Sequence, residues 1–184
     1  MQINTGIQQH RLVNAQYIHT SHQDQRPETQ EISLLVIHNI SLPPNQFGGD
    51  YINDLFTGQL DPKVHPYFRE ISQLRVSAHC LIKRDGGIIQ FVPFDKSAWH
   101  AGFSSYQGRD RCNDYSIGVE LEGADHIPYS DAQYLALASL SKEIMSHYPG
   151  IGLGQIVGHN DIAPRRKSDP GVAFDWARFR QMLA

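Results

Sequence analysis

Two short apolar runs in the chain end on histidine, and a carboxylate follows the second of them. The runs are residues 34–38 and 155–159, which end at His38 and His159, and Asp169 follows ten residues later. An apolar run of this length is typical of a buried strand. A histidine at the end of such a strand lies at the rim of a sheet, where clefts form. Two imidazoles and one carboxylate make a ligand set suited to catalytic zinc, which keeps its fourth position for water.

Further charged residues are candidates for proton transfer and charge stabilisation beside a zinc ion. Residues 116–122 alternate, which predicts a strand with Ile117, Val119 and Leu121 on one face and Gly118, Glu120 and Glu122 on the other. A carboxylate on that second face must meet water, a cation or a metal site, so Glu120 is a candidate base and Glu122 its rival. Lys167 lies two residues before Asp169, and in an extended segment both side chains point the same way. An exposed strand carboxylate and a solvated lysine are the alternatives.

Two alternatives compete with a zinc site. The chain has ten histidines, so some pair of them falls at strand ends by chance. A nucleophilic cysteine is the other alternative, but Cys80 directly follows His79, and neighbours on a strand point to opposite faces. Cys112 lies in a polar loop with no obvious base beside it, and a Gly-x-Ser-x-Gly sequence is absent. The sequence therefore gives little support to covalent catalysis.

Length, charge and the N-terminal segment exclude several classes of protein. A chain of 184 residues is long enough for one substantial core and short for two domains. The net charge of −3 gives no sign of nucleic-acid binding, and no apolar stretch approaches the ~20 residues of a membrane helix. Residues 1–6 have neither the basic nor the apolar region of a signal peptide. Together with two cysteines that lack metal-type spacing, these features indicate a cytoplasmic protein.

Predicted strands and helices alternate along the chain and would position the candidate residues. The predicted strands are residues 32–38, 76–82, 88–92 and 116–122, the second and third forming a hairpin around the Asp85-Gly86-Gly87 turn. The predicted helices begin at an Asp50 cap and at His65-Pro66, and span about 131–147, with a Ser130–Gln133 capping box, and 175–183. Residues 1–30 are predicted to form an extended N-terminal arm with one short strand near Leu12. The pattern indicates one α/β domain over residues 1–184, with a central mixed β-sheet flanked by helices.

Five motifs together resemble the zinc N-acetylmuramoyl-L-alanine amidases, a family that shares its fold with phage amidases and peptidoglycan-recognition proteins. They are residues 36–39 (Val-Ile-His-Asn), 75–80 (Arg-Val-Ser-Ala-His-Cys), 98–102 (Ala-Trp-His-Ala-Gly), 113–123 and 158–171. The resemblance runs from about residue 12 to the C-terminus. It implies one zinc ion held by His38, His159 and Asp169, with Glu120 and Lys167 as the catalytic pair. It also places contacts to the stem peptide at Asn39, Arg75, Trp99 and Arg111.

The likeness is strongest to cytoplasmic family members that recycle peptidoglycan fragments. It implies zinc-dependent hydrolysis of the amide bond between the lactyl group of (1,6-anhydro-)N-acetylmuramic acid and L-Ala of the stem peptide. The expected partner is an anhydromuropeptide substrate, with no nucleic acid and no membrane, and the expected state is a monomer. An exported amidase that acts on polymeric peptidoglycan and a non-catalytic peptidoglycan-binding module are the alternatives.

Overall fold

The computed structural model describes residues 6–184, so the part of the predicted arm that falls on residues 1–5, and most of the segment without signal-peptide features, lie outside the described residues. Its strands, in chain order, are β1 (Ile7–Gln8), β2 (Arg11–Leu12), β3 (Gln16–Tyr17), β4 (Gln23–Gln25), β5 (Leu34–Ile40), β6 (Cys80–Ile82), β7 (Ile88–Gln90), β8 (Lys96–Ala98), β9 (Ser105–Tyr106), β10 (Arg109–Asp110), β11 (Ser116–Glu122) and β12 (Ile156–Gly158). The helices are α1 (Tyr51–Thr57), α2 (Phe68–Ile71), α3 (Asp131–His147), α4 (His159–Ile162) and α5 (Trp176–Leu183).

A six-stranded sheet in the order β12-β5-β11-β6-β7-β3 forms the centre of the domain. The first four of these strands run parallel, β7 runs antiparallel to β6, and β3 is parallel to β7. The predicted mixed sheet of a single α/β domain is thereby confirmed. The register places Glu120 of β11 opposite His38 of β5, and Gly158 of β12 opposite Ile37. Because His159 directly follows Gly158, the candidate residues His38, Glu120 and His159 lie at one end of three neighbouring strands.

Different elements pack on the two faces of the central sheet. On one face, α3 and α5 pack over a large apolar core that includes Ile117, Val119 and Leu121, which confirms the alternation predicted for β11. On the other face, α1, α2 and several loops pack over smaller apolar clusters, and Leu34 and Val36 of β5 point to this side. His38 follows Leu34 and Val36 at a spacing of two, so it shares their face. The loop-covered face is therefore the one that can open into a cleft.

Several predicted boundaries differ from those in the structure. β5 does not end at His38 but continues through Ile40, because it pairs with β11 along its whole length. The hairpin arms predicted at 76–82 and 88–92 shorten to β6 and β7, and Ser77 is bonded to Trp99 instead of the opposite arm.

The starts of the first two helices also differ in detail from the prediction. Asp50 caps α1 without a side-chain hydrogen bond to the helix backbone, and its carboxylate instead accepts from the Asn53 amide at 3.1 Å. Pro66 lies in the turn before α2, which begins at Phe68 with Tyr67 as its N-cap. In contrast, α3 has the predicted capping box between Ser130 and Gln133, and α5 begins one residue after Asp175, within a residue of the predicted start.

Residues 6–30, predicted as an extended arm, form four short strands that pack onto the domain. β1 pairs with β2, which contains the strand predicted near Leu12, and both Ile7 and Leu12 are buried in the main core. β3 extends the central sheet and β4 pairs with β8. The Arg26 guanidinium then donates to four backbone carbonyls, those of Phe94, Asn113, Asp114 and Ser116. Within residues 6–184, no helix is both long enough and apolar enough to span a membrane.

Candidate metal centre and active-site cleft

The side chains of His38, His159 and Asp169 converge on one point. The Nδ1 atoms of the two histidines are 2.9 Å apart, and Oδ2 of Asp169 lies 3.1 Å from Nδ1 of His38 and 3.0 Å from Nδ1 of His159. These three donors form a nearly equilateral triangle. Donors about 2.0 Å from a tetrahedral zinc ion are roughly 3.3 Å apart, so the observed triangle is close to the size such an ion requires.

Strand ends and one glycine position these three donors. His159 is the first residue of α4, directly after β12, and β12 lies beside β5, which carries His38. Asp169 is brought to them because Gly158 has no side chain: a Cβ there would lie 2.8 Å from Cδ of Pro170. The backbone amide of Asn160 then donates to the carbonyl of Asp169 at 3.0 Å. The carboxylate is therefore held against the end of the sheet by backbone contacts.

The outer ring nitrogens of the two histidines have partners of their own. Nε2 of His159 donates to the carbonyl of Ala101 at 3.2 Å, so Nδ1 is the nitrogen that carries no proton in the neutral ring. Nε2 of His38 lies 2.8 Å from Nδ1 of His100. Both imidazoles are almost completely buried, with side-chain exposures of 1% and 4%. The ring nitrogens of two buried imidazoles and a carboxylate oxygen, all about 3 Å from one another, form a donor set that fits a metal ion.

Glu120 and Glu122, which share a strand face, have different surroundings. Both oxygens of Glu122 are engaged, because Oε1 accepts from the backbone amide of Gly48 at 2.5 Å and Oε2 accepts from that of Arg84 at 3.1 Å. Glu122 therefore ties the loop after β5 to the hairpin turn. Glu120 instead lines the cleft, and its Oε2 is buried without a hydrogen-bond partner among residues 6–184. Of the two, Glu120 is the carboxylate that is free to act on a molecule in the cleft.

Burial and neighbouring groups shift the pKa values of Glu120, His38 and Asp169 away from their ordinary values. Burial raises the pKa of Glu120 well above its usual range, and the negative charge of Asp169 adds to the shift, while Lys167 opposes it. Burial lowers the pKa of His38 to about 4, so its imidazole is neutral near pH 7 and can act as a ligand. Burial raises the pKa of Asp169, but the close contacts with the imidazoles of His159 and His38 outweigh this effect, so its pKa falls below the ordinary value. The carboxylate beside the two histidines is thus ionised.

His159 and Asp169 line a cavity of about 520 Å³, and the buried His38 lies directly behind them. Glu120 and Lys167 line the same cavity, and the positive charge of Lys167 acts on the pKa values of both Glu120 and His38. Lys167 is exposed and lies in a turn, where its backbone amide donates to the carbonyl of Ala163. Among residues 6–184, no hydrogen bond or ion pair restrains its ammonium group, which leaves it available to a ligand.

The four predicted substrate-contact residues are placed differently from one another. Asn39 lines the cavity, but its amide donates to Asp125 at 2.8 Å and to the carbonyl of Pro170 at 3.1 Å, so it also holds the segment after Asp169. Trp99 lines the cavity half-buried, with its indole N–H donating to Asp24 at 2.7 Å.

The two arginines lie outside the residues that line the cavity. Arg75 is exposed, and its guanidinium lies 5.0 Å from the ring centroid of Trp99. Arg111 is exposed too and pairs with Asp114 at 2.8 Å. The hydrogen bond to Asp114 raises the pKa of Arg111, and the charge of Asp24 adds to the shift. Arg75, Trp99, Asp24 and Arg111 therefore form a polar rim beside the cavity.

Sequence reasoning missed two residues that support the metal centre. His100 contacts His38, and the Arg166 guanidinium donates to the carbonyls of Ala101 and Phe103 at 2.6 and 2.9 Å, which braces the loop that holds His159. His100 stands in the Ala-Trp-His-Ala-Gly motif, so a signal was present in the sequence. Only the fold shows that this histidine lies against a metal-ligand candidate.

Comparisons with known proteins agree with this site. A family model described as N-acetylmuramoyl-L-alanine amidase matches residues 28–172, which include all the candidate ligands and catalytic residues. The 1,6-anhydro-N-acetylmuramyl-L-alanine amidase AmpD of Escherichia coli K12 is 58% identical over 178 residues, covering 97% of this chain and 97% of that protein. The resemblance seen in the sequence motifs is confirmed.

Solved structures give the same result at the level of the fold. A crystal structure of a Se-Met AmpD derivative matches with a TM-score of 0.94 and 57% identity, covering 97% of this chain and 99% of the other. The amidase AmiD of E. coli, solved with anhydro-N-acetylmuramic acid-L-Ala-D-γ-Glu-L-Lys, matches with a TM-score of 0.61 and 30% identity. That match covers 85% of this chain and 60% of AmiD.

Proposed function

This chain belongs to the N-acetylmuramoyl-L-alanine amidase family, and we propose that it hydrolyses the amide bond between the lactyl group of 1,6-anhydro-N-acetylmuramic acid and L-Ala of the stem peptide. The observation that carries the proposal is the convergence of His38, His159 and Asp169 beside a cavity that is also lined by Glu120, whose Oε2 has no hydrogen-bond partner among residues 6–184. An amide hydrolase needs both an electrophilic site and a proton acceptor beside the scissile carbonyl, and the cavity offers both.

We propose that His38, His159 and Asp169 hold one zinc ion. Two neutral imidazoles and one carboxylate leave a formal charge near +1 on the site, so zinc bound there supplies a Lewis acid for the carbonyl and for a water molecule. Burial lowers the pKa of His38 to about 4, which keeps its imidazole neutral and able to act as a ligand near pH 7.

Glu120 takes the proton of the attacking water and delivers it to the leaving amine. Its raised pKa suits this double role, because a carboxylate with a raised pKa is a stronger proton acceptor and then holds the proton that the leaving amine needs. Lys167 supplies the positive charge that stabilises the oxyanion as the carbonyl carbon becomes tetrahedral. The products are an anhydro-sugar with a free lactyl carboxylate and a peptide that begins with L-Ala.

The rim beside the cavity suits the peptide half of the substrate. The stem peptide is anionic, and Arg75 presents a cation beside Trp99, while Arg111 presents a second one that is paired with Asp114. Asn39 lines the cavity, and its amide donates to Asp125 and to the carbonyl of Pro170 in the segment that follows Asp169. The relatives named AmpD act on 1,6-anhydro-N-acetylmuramyl-L-alanine, as their name states, and the fragment bound to AmiD contains the same linkage.

We propose that the protein acts as a monomer in the cytoplasm, on peptidoglycan fragments that are being recycled, with no nucleic-acid or membrane partner. Cys80 and Cys112 are both buried as free thiols, which fits a reducing compartment. The net charge of −3 offers no electrostatic attraction to nucleic acid.

A product assay tests the proposal. Purified protein is incubated with an anhydromuropeptide, with its hydrated counterpart and with intact sacculi, and released peptide is identified by mass spectrometry. Release of a peptide beginning with L-Ala from the anhydromuropeptide is the expected result. Preferential cleavage of sacculi would favour the polymer-cleaving alternative, and binding without release from any of the three would favour a non-catalytic module.

A further inference from the structure

We propose that His100 is a positioning residue that orients His38 toward the metal. The proposal rests on the zinc site described under the proposed function, and it concerns a side chain that does not itself reach the cation. His38 presents Nδ1 to the three-donor triangle, and its Nε2 lies 2.8 Å from Nδ1 of His100. A metal-ligating histidine needs a partner on its outer nitrogen to fix both its tautomer and its ring orientation.

The direction of the hydrogen bonds follows from the geometry. If Nδ1 of His38 binds a cation, the ring proton of His38 is on Nε2, so His38 donates and Nδ1 of His100 accepts. The proton of His100 is then on its own Nε2, which lies 3.0 Å from the hydroxyl oxygen of Ser116 and donates to it. The hydrogen bonds from His38 to His100 and from His100 to Ser116 thus run in a single direction.

Two backbone hydrogen bonds to Asn113 and the close approach of Gly118 hold the His100 ring in place. Its backbone amide and that of Ala101 both donate to Oδ1 of Asn113, at 3.2 and 2.8 Å. The ring lies over Gly118 of β11, where any Cβ would be 2.4 Å from Cγ of His100. A side chain at position 118 would therefore displace the imidazole, so the absence of one is a structural requirement of the contact.

One loop thereby serves both histidine ligands. His100 accepts from His38 through its side chain, and the next residue, Ala101, accepts from His159 through its carbonyl. The two ligands differ in that the hydrogen-bond acceptor of His159 is a main-chain carbonyl, which no substitution removes, whereas the acceptor of His38 is a side chain. Position 100 is therefore the place at which substitution can uncouple one ligand from its orientation.

Tautomers measured by NMR in the zinc-loaded wild-type protein test the proposal without substitution. Long-range nitrogen–proton correlations should show His100 with its proton on Nε2 and a bare Nδ1. His79 is an internal reference, because its Nδ1 accepts from the backbone amide of Gly118 at 3.0 Å and must be bare as well. A proton on Nδ1 of His100 would overturn the proposal, since His100 would then be the donor to His38.

Zinc affinity, measured by competition with a chromophoric chelator, is the second test. His100→Leu keeps the approximate volume but removes the acceptor, and should weaken zinc binding by about 10–100-fold. His100→Asn, which offers an amide oxygen near the place of Nδ1, should bind more tightly than His100→Leu. His79→Leu is the matched control: it is a buried histidine beside the same glycine but has no bond to a ligand.

The outcomes separate the proposed zinc site from the proposed positioning role of His100. A wild-type protein that does not bind zinc contradicts the proposed function. If wild type binds zinc and His100→Leu binds it within about twofold of wild type, the positioning role is wrong and the zinc site stands. An equal loss in His79→Leu and His100→Leu would assign the effect to general loosening of the sheet, and would also overturn the role.

Discussion

The buried end of the cleft and its open rim are built on different principles. At the buried end, His38 and Glu120 lie on adjacent strands in register, and His159 follows the next strand directly. At the rim, Arg75 and Arg111 are exposed and lie in or beside loops. Strand pairing fixes the relative positions of side chains, whereas loop residues are placed by local contacts. Under the proposed function, the residues of the reaction are thus positioned by the sheet, and the residues proposed to recognise the peptide are positioned by loops.

The largest effect is expected from breaking the buried end. Removal of zinc by a strong chelator should abolish hydrolysis, and added zinc should restore it, because no other group in the cleft supplies comparable Lewis acidity. His159→Ala should lower both zinc content and rate. Elemental analysis alongside the peptide-release assay checks this, and full activity in metal-free protein would contradict the mechanism.

The next largest effect separates the two glutamates of β11. Glu120→Gln should lower kcat by about 10²–10⁴-fold and leave zinc content unchanged, because it removes the proton acceptor but no ligand. Glu122→Gln is the matched control on the same face. It should lower the melting temperature, since Glu122 accepts from the backbone amides of Gly48 and Arg84, with a much smaller effect on kcat. A larger kcat loss in Glu122→Gln would mean that the base is Glu122.

Lys167 lies between the two regions, since it is exposed but lines the cavity. Lys167→Met keeps the length of the side chain and removes its charge, so kcat should fall by about 10²–10³-fold because the oxyanion loses one partner. Zinc content and melting temperature should stay near those of wild type. Arg165→Met, at an exposed position of the same turn outside the cavity lining, is the control. Near wild-type kcat in Lys167→Met would show that the lysine is only a solvated residue.

The smallest effects are expected at the rim. Arg75→Ala and Arg111→Ala should each lower kcat/KM for short muropeptides by no more than about fivefold, because both guanidinium groups are exposed and solvent screens their contacts. Zinc content should not change. The loss of kcat/KM in these variants should become smaller still at high salt, because salt screens exposed charges. A hundredfold loss at either position would place that arginine in direct contact with the substrate.

Much of the fold was predictable because it depends on patterns within single elements. The alternation of residues 116–122 identified the strand and its buried face, and the Ser130–Gln133 box identified the start of α3. Boundaries were less predictable where pairing partners are distant in sequence, as at β5, which continues past His38 because β11 supplies partners through Ile40. The strands within residues 6–30 are short and polar, and they form through pairing with each other or with β7 and β8.

The sequence by itself determined that two apolar runs each lead to a histidine and that a carboxylate follows the second run, and so pointed to His38, His159 and Asp169 as a possible ligand set. It could not choose between Glu120 and Glu122 from the strand pattern, because alternation specifies a face and not a neighbour. Tertiary structure made that distinction by giving Glu122 two backbone donors and leaving Glu120 open to the cleft. It also brought His100 against His38, 62 positions apart in the sequence. This contact needs a glycine at position 118, because a Cβ there would collide with the His100 ring. Such contacts depend on strand order and close approach, which no local pattern in the chain encodes.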